Sequence, residues 1–215
     1  MNKPTIKKEW VQPLLTTKFL NVYDLHPNNE RSYFDASRRT RDNLVAIKSD
    51  EEFKTMLPDA VSIVLILVID EEEKLLLTHE YRYATGQTLL SVPAGLIDSD
   101  DLLKENPLFE TAIREVHEET GLVFQEGDEI SVVNPLLFST PGMSDESNAI
   151  VKIKLHTPNL SSIRFDLAQG GEIFEDFSIL SKQEAKQILN SGVDENGIFY
   201  SVYTWIGLAT FLLDM

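Results

Sequence analysis

The sequence contains no cysteine, which excludes disulfide bonds, thiolate zinc sites and cysteine nucleophiles. Any bound metal must therefore use Glu, Asp or His. Basic residues are also scarce, because 19 Lys and Arg stand against 35 Asp and Glu, and the formal net charge is −16. Nucleic-acid affinity needs clustered Lys and Arg, so we expect no nucleic-acid partner. A small phosphate compound stays compatible with this charge, since a bound cation and a few arginines can reverse the field inside one cleft.

Long apolar segments are missing as well. The longest run, from Ala60 to Ile69, is too short to cross a bilayer, and the first ten residues lack the apolar stretch of a signal peptide. These absences predict a cytoplasmic protein that does not bind membranes. A chain of 215 residues with 42% hydrophobic residues can bury one substantial core. We therefore expect one main domain over residues 59–215, preceded by a β-rich arm over residues 1–58.

Strand-like and helix-like patterns alternate along the chain and predict an α+β fold, in which a mixed sheet is sandwiched between helices. Strands are predicted over 18–25, 60–69, 74–83, 88–92, 130–138, 149–156 and 174–180. Helices are predicted to begin at the Ser49 cap, at Pro107, at the Ser181 capping box and at Phe199. The helix from Pro107 to Thr120 has the clearest apolar periodicity, and Gly121 follows it where a left-handed residue commonly ends a helix.

Three glutamates share one face of this helix. Residues three and four positions apart meet on a helix, so Glu115, Glu118 and Glu119 form a carboxylate cluster. Arg114 can relieve part of the repulsion by pairing with Glu118 one turn later. A bare cluster of this kind is more often a solvated acidic face. It also offers the oxygen ligands that Mg²⁺ takes when it acts on a pyrophosphate.

The wider pattern favours the metal-binding interpretation. The run from Arg114 to Leu122 reads Arg-Glu-Val-His-Glu-Glu-Thr-Gly-Leu. It resembles the second half of the signature of the Nudix hydrolase family at every fixed position. The first half departs, because Gly95 precedes Arg114 by 19 positions instead of 14, which implies a five-residue insertion within 99–106. The first glutamate of the signature would fall on Asn106, with Glu105 next to it.

The resemblance implies a Nudix fold and assigns roles around a Mg²⁺ site, with Mn²⁺ as the alternative ion. Glu115 and Glu119 would be the main metal ligands, Glu118 a further ligand or catalytic group, and the carbonyl of Ala94 an additional ligand. Arg114 would orient the cluster.

Three further segments resemble the branch of the family that cleaves ADP-ribose and ADP-sugars. Arg82 would reach the diphosphate through its paired donors, although an arginine on a strand is also commonly a surface residue. Glu172, on the predicted loop Gly170-Gly171-Glu172-Ile173-Phe174-Glu175, would be the catalytic base, with Glu175 in reserve, although acidic loop residues commonly have no such role. The remaining substrate contacts would come from Leu96 and from the turn containing Gly142, Met143 and Ser144.

The arm carries a weaker resemblance to the same branch. Phe34 would stack on the adenine and Arg39 would contact the substrate, although an aromatic residue on a strand is more often simply packed. The branch is usually dimeric through its N-terminal strands, which implies a homodimer.

Together these features predict Mg²⁺-dependent hydrolysis of the diphosphate of a nucleoside diphosphate sugar, with ADP-ribose giving AMP and ribose 5-phosphate. Alternative substrates are another nucleotide sugar, a dinucleoside polyphosphate or an oxidised nucleotide, because the signature sets the chemistry while other pockets set the choice. Two alternatives without catalysis are a nucleotide-sugar sensor and an acidic scaffold protein.

Overall fold

The computed structural model of the chain describes residues 4–165 and 171–215. The strands are β1 Val11–Thr16, β2 Asn21–Leu25, β3 Tyr33–Ser37, β4 Ala60–Ile69, β5 Glu72–Arg82, β6 Gln87–Ser91, β7 Ala94–Leu96, β8 Glu129–Phe138, β9 Ser147–Leu155 and β10 Phe174–Leu180. The helices are α1 Asp50–Thr55, α2 Pro107–Thr120, α3 Lys182–Ser191 and α4 Val202–Leu213. None of the helices within the described ranges is long and apolar enough to cross a membrane.

The chain divides into two compact units. The N-terminal unit contains residues 1–59 and 136–148, and the central unit contains residues 60–135 and 149–215. The first break therefore lies one residue beyond the boundary predicted from sequence. Residues 136–148, which the sequence-based division placed in the main domain, belong to the N-terminal unit.

The central unit is built on a seven-stranded sheet. Its strand order is β10-β5-β4-β9-β8, with β6 paired to β5 and β7 paired to β4. β4 runs antiparallel to β5, with Leu65 opposite Leu76, and β5 runs antiparallel to β10, with Glu80 opposite Phe174. Because β4 is apolar on both faces, it suits this interior position.

Helices cover both faces of β4. Val61, Ile63, Leu65 and Leu67 belong to one core cluster with residues of α2, among them Val116. On the alternate positions, Val64 lies close to Gly207 of α4. Successive side chains of a strand point to opposite faces, so α2 and α4 lie on opposite sides of the sheet. The predicted α+β sandwich is confirmed.

The clearest helix prediction is confirmed at both ends. α2 spans Pro107–Thr120, and Gly121 follows it with φ of 73° while its N–H donates to the carbonyl of His117 at 2.8 Å. The prediction that the last helix begins at Phe199 is wrong by three residues. The Phe199 carbonyl instead accepts from the N–H of Leu90 in β6, and Ser201 caps a helix that begins at Val202.

The N-terminal unit contains a three-stranded antiparallel sheet in the order β1-β2-β3. Its buried apolar cluster comprises Val11, Tyr23, Leu25 and Leu44. The predicted strand over 18–25 is shorter than expected, because the Thr17 hydroxyl donates to the Leu20 carbonyl at 2.6 Å and closes a turn there. β1, in which only Val11 is buried, lacks the alternating apolar pattern that predicts a strand and was not expected.

Candidate active site

The acidic face of α2 is turned into the protein. Glu115 and Glu119 are buried, with residue exposures of 8% and 3%, whereas a solvated acidic face would leave them in water. The N–H of Ala94 in β7 donates to Glu119 Oε1 at 3.2 Å. The helix spacing therefore places both carboxylates against β7. This strand contains Ala94, which was predicted to supply a further metal ligand. Coordination by the Ala94 carbonyl stays a prediction.

Gly95 leaves the space that Glu115 occupies. A Cβ atom at position 95 would lie 1.8 Å from Glu115 Oε1 and 1.9 Å from Glu115 Cδ. No side chain can share this volume with the carboxylate. β7 can approach α2 this closely because residue 95 has no side chain to meet the Glu115 carboxylate. Gly95 does not adopt a left-handed backbone conformation, so space is the reason for glycine here.

Arg114 connects the glutamates to the loop that precedes α2. Its Nη1 donates to Glu115 Oε1 at 2.6 Å and to Glu118 Oε2 at 3.1 Å, so the predicted pairing with Glu118 is confirmed. Its Nη2 donates to the Leu96 carbonyl at 3.0 Å and to Asp101 Oδ2 at 2.9 Å. Arg114 therefore donates hydrogen bonds to three carboxylates, and one of them, Asp101, comes from the loop before α2.

The neighbouring strand β5 adds a fourth glutamate and the predicted diphosphate-binding arginine. Glu80 is 4% exposed and lies on the same face of β5 as Leu76, which packs in the α2 core. Arg82 Nη2 pairs with Glu80 Oε2 at 2.5 Å, and the Arg82 side chain is 46% exposed. The guanidinium of Arg82 is thus held by Glu80 through one nitrogen and is partly open to solvent.

Glu172 joins this group from the chain before β10. The next residue, Ile173, accepts a hydrogen bond from the N–H of Tyr81 in β5 at 2.9 Å. Gly170, the first glycine of the predicted loop, lies outside the described residues. The charge of Glu172 acts on Glu80, Glu115 and Glu119, so the fold gathers carboxylates from segments far apart in sequence.

The pKa values of the clustered glutamates are raised by burial and, for several of them, by one another's charges. Burial raises the pKa of Glu115 to about 7, against the opposing effect of Arg114. Burial also raises the pKa of Glu119 well above its usual range, and the charges of Glu80, Glu115 and Glu172 add to the shift. The pKa values of Glu80 and Glu172 are raised first by burial, and Arg82 opposes both shifts. The cluster contains more carboxylates than its two arginines can pair with.

The donor chemistry fits a hard divalent cation. Buried carboxylates that raise one another's pKa values are relieved when a cation takes their oxygens. Among the described residues, however, no three His, Asp or Glu side chains are positioned to coordinate a metal ion together. Arg114 holds oxygens of Glu115 and Glu118. These side chains must turn from Arg114 toward a cation to bind it, and Glu115 and Glu119 are the residues that would hold it.

The N-terminal unit contains the other predicted substrate contacts. Phe34 on β3 is 61% exposed. The Ala36 N–H donates to the Met143 carbonyl at 2.9 Å, and the Tyr33 hydroxyl donates to the Gly142 carbonyl at 2.8 Å. Ala36 also forms a parallel bridge with Ser144. The strand carrying Phe34 and the turn containing Gly142, Met143 and Ser144 are thus brought together, and their substrate roles stay predictions.

Arg39 is engaged within the N-terminal unit. Its Nη1 lies 2.9 Å from Asp59 Oδ2 and donates to the Asp145 carbonyl at 2.9 Å, while its Nη2 donates to Ser147 Oγ at 3.2 Å. Only 11% of the Arg39 side chain is exposed. The structure shows a bridging role for Arg39 in this unit, and its contact with substrate stays a prediction.

Asp35 in the same region predicts a pH-dependent stability. Burial and the charge of Asp145 raise the pKa of Asp35 from 3.8 to about 6. Its stabilising contribution is therefore complete below about pH 4 and is lost as the pH rises through 6. We expect Asp35→Asn to raise the free energy of unfolding by about 1 kcal/mol at pH 8 and to change it little at pH 4.5. Urea unfolding at both pH values measures this difference.

The matched control is Asp42→Asn, which changes an aspartate whose side chain is 64% exposed in the same unit. It should leave the free energy of unfolding nearly unchanged at both pH values. An equal effect of Asp35→Asn at pH 4.5 and 8 would show that ionisation of Asp35 is not the cause.

Two residues of the site were missed by the sequence reasoning. Glu80 lies two positions before Arg82, and period-two spacing on a strand could have placed both on one face. Asp101 lies six positions after Gly95, which is the spacing from glycine to the first glutamate in the signature, so counting forward from Gly95 instead of back from Arg114 could have found it. Asn106, where the signature calls for glutamate, instead occupies the N-cap position of α2 and makes no side-chain cap hydrogen bond. The carboxylate beside Arg114 is Asp101, not a group at 105 or 106.

Known proteins share the fold over the whole chain. A crystal structure described as that of an ADP compounds hydrolase matches with a TM-score of 0.60 at 18% identity, covering 100% of this chain and 96% of that one. At this identity the match supports the fold alone.

Similarity in sequence is confined to part of the chain. "Nudix hydrolase 14, chloroplastic" of Arabidopsis thaliana is 32% identical over 98 residues, which are 42% of this chain and 30% of the relative. An uncharacterized Nudix hydrolase of Schizosaccharomyces pombe is 33% identical over 125 residues, covering 56% of this chain and 55% of the relative. An ADP-ribose pyrophosphatase of Bacillus subtilis is 29% identical over 83 residues, covering 39% and 40%. The alignments thus span from about a third to about half of these relatives.

The family model described as the NUDIX domain matches residues 59–186, which is more than half of the chain and includes Gly95, Arg114 and every glutamate of the cluster. The chain belongs to the NUDIX domain family.

Proposed function

We propose that the protein is a hydrolase that cleaves the diphosphate of a nucleoside diphosphate sugar with the help of Mg²⁺, and that ADP-ribose is its substrate, giving AMP and ribose 5-phosphate. The observation that carries this proposal is the gathering of the buried Glu80, Glu115 and Glu119 with the exposed Glu172 in one cluster whose charges act on one another. Relatives named Nudix hydrolase and ADP-ribose pyrophosphatase support the reaction and the substrate.

The proposed roles follow the geometry of the central unit. When bound, a divalent cation supplies a Lewis acid that withdraws charge from the diphosphate oxygens. Glu115 and Glu119 would hold it, with Glu118 and the Ala94 carbonyl as further ligands. Arg82 presents a half-exposed guanidinium whose paired donors match phosphate oxygens. Glu172, with a raised pKa, takes the proton of the attacking water.

The choice of substrate is tested by assaying the protein with Mg²⁺ against ADP-ribose, ADP-glucose, UDP-glucose, diadenosine polyphosphates and 8-oxo-dGTP, with the products identified. We expect AMP and ribose 5-phosphate from ADP-ribose, with kcat/KM at least about tenfold above the others, which is about 1.4 kcal/mol of transition-state discrimination. A Glu119→Gln preparation run in parallel detects a contaminating hydrolase.

The outcomes separate the alternatives. Preference for another compound in the set would replace the substrate and keep the reaction. Binding of ADP-ribose without cleavage would indicate a sensor. Neither binding nor cleavage of any compound would overturn the enzymatic function altogether.

A homodimer is part of the proposal. Leu14, Leu15, Phe19 and Leu20 on β1 and the turn after it are between 45% and 67% exposed, which is a large apolar surface for strands in water. A second copy of the N-terminal unit would cover it. Sedimentation equilibrium of the intact chain should give twice the mass of 24.4 kDa, and a single species at 24.4 kDa would contradict the dimer.

A cytoplasmic location also stays a proposal, because one relative is named as chloroplastic. Fractionation of the source cells, with the protein followed by antibody, would test it, and recovery from an organelle would overturn it.

A further inference from the structure

Asp145 follows the turn over residues 142–144 and is tied to three other segments of the N-terminal unit. Its Oδ2 accepts a hydrogen bond from the Val45 N–H at 3.1 Å, and its carbonyl accepts one from Arg39 Nη1 at 2.9 Å. Its own N–H donates to the Asp35 carboxylate on β3. The position of the turn, which was predicted to contact substrate, therefore depends on Asp145.

Each of the two aspartates keeps one buried oxygen without a partner. Asp35 is 6% exposed and Asp145 is 9% exposed. Asp35 Oδ2 and Asp145 Oδ1 have no hydrogen-bond partner among the residues that the structure describes. Asp145 Oδ1 lies 3.6 Å from Arg39 Nη1, which is too far for a hydrogen bond. Because buried polar atoms are nearly always hydrogen-bonded, a proton on one carboxylate, donated to the other, would satisfy both oxygens.

The surrounding groups do not neutralise this pair. They are Tyr23 on β2, Arg39 and Arg41 after β3, and Asp59 before β4. Arg39 Nη1 lies 2.9 Å from Asp59 Oδ2, so Asp59 takes much of the arginine charge. Burial and the charge of Asp145 raise the pKa of Asp35 to about 6, although Arg39 opposes the shift. Burial also raises the pKa of Tyr23, which keeps the phenol protonated at neutral pH.

We propose that Asp35 and Asp145 share one proton and that this proton positions the turn over residues 142–144 against β3. When the proton is lost, two neighbouring negative charges repel each other and the turn is held less firmly. Asp35 is thus a positioning residue that acts through Asp145. The sharing of the proton stands by itself, and its effect on substrate binding rests on the proposed function.

The shared proton is tested by carbon NMR of the full chain with ¹³C-labelled aspartate and without substrate. The carboxyl signals of Asp35 and Asp145 should move together, with one midpoint at about pH 6. Asp35→Asn should abolish the movement of the Asp145 signal at that midpoint. The control Asp42→Asn, whose side chain is 64% exposed, should leave both signals unchanged. An Asp145 signal that does not move with that of Asp35 would overturn the proposal.

The position of the turn is measured by hydrogen exchange of the Ala36 amide, which donates to the Met143 carbonyl at 2.9 Å. After correction for the intrinsic exchange rate, its protection should fall about tenfold between pH 5 and pH 8 in the unchanged protein. Asp35→Asn supplies an amide N–H in place of the shared proton at every pH, so this variant should keep its protection at pH 8. The same fall in both proteins would contradict positioning by the proton.

Substrate binding gives the readout in the active enzyme. With ADP-ribose, KM of the unchanged protein should equal that of Asp35→Asn at pH 5 and exceed it about threefold at pH 8, with kcat within about twofold. Asp42→Asn should follow the unchanged protein at both pH values. An equal pH dependence of KM in Asp35→Asn and in the unchanged protein would overturn the effect on substrate binding.

A second variant covers a failure of Asp35→Asn to fold. Asp145→Asn supplies the amide N–H from the other carboxylate and keeps an oxygen for the Val45 N–H, so the same protection of Ala36 at pH 8 is expected. Its absence in that variant would overturn the proposal. The expected NMR and exchange results, in a protein that hydrolyses no nucleotide sugar, would support the shared proton while the proposed function fails.

Discussion

Replacing Glu119 by glutamine should lower kcat for the nucleotide-sugar substrate by about 1,000-fold, a loss typical of removing one electrostatic group aimed at a transition state. Glu119 is 3% exposed, and the charges of Glu80, Glu115 and Glu172 act on it. A neutral amide binds a divalent cation poorly, so the cluster would lose a ligand at its most buried point.

The same substitution should leave the metal-free protein as stable as before or more stable. The pKa of Glu119 is raised well above its usual range, so its charged form is disfavoured by folding. Its stabilising effect is complete below the ordinary pKa and lost as the pH rises toward the raised value. Glutamine keeps an oxygen for the Ala94 N–H and carries no charge. We expect the free energy of unfolding at pH 8 to rise by about 1 kcal/mol, measured by urea unfolding in chelator.

The control is Glu110→Gln, which removes an exposed carboxylate from the same helix. It should keep kcat within about twofold, since surface substitutions away from special features have small effects. Full turnover in Glu119→Gln would remove this carboxylate from the chemistry. A large loss of stability in that variant would show that the carboxylate serves the fold.

Gly95→Ala should lower kcat about 100-fold, although it adds only one methyl group. The new Cβ would lie 1.8 Å from Glu115 Oε1, so the Glu115 carboxylate must move. The methyl group would occupy the space beside β7 that Glu115 needs in order to hold a cation, and a displacement of about 1 Å in a positioned group can cost about 100-fold in rate. Mn²⁺ affinity should fall about tenfold for the same reason, which paramagnetic resonance can measure.

Gly207→Ala is the matched control for steric overlap. A Cβ there would lie 2.6 Å from Val92 Cγ1, an apolar atom outside the carboxylate cluster. We expect a loss of about 1–3 kcal/mol in the free energy of unfolding, from overpacking, and kcat of the folded protein within about twofold. Equal kcat in Gly95→Ala and the unchanged protein would mean that Glu115 can act from another position.

Local patterns predicted the parts of the site that lie within one element. The spacing of α2 placed Glu115 and Glu119 together and paired Arg114 with Glu118, because neighbours at three and four positions meet on any helix. The apolar run of β4 likewise predicted the central strand. These features depend on a few consecutive residues, so the sequence is sufficient for them.

Contacts between elements could not be predicted in the same way. Glu80 enters the cluster because β5 lies beside β4 and presents its even-numbered side chains to α2. Glu172 enters because the chain before β10 pairs with β5 at Tyr81. Strand order and register decide both contacts, and neither is encoded in any short spacing.

The sequence by itself determined the acidic helix from Pro107 to Thr120, the carboxylates on one of its faces and the glycine after it, because periodicity and capping are local. Only the tertiary structure decided that this face is buried, that Gly95 makes room for Glu115, and that Asp101 serves Arg114 in place of a group at 105 or 106. The physical reason is that burial and charge pairing arise where distant segments pack together.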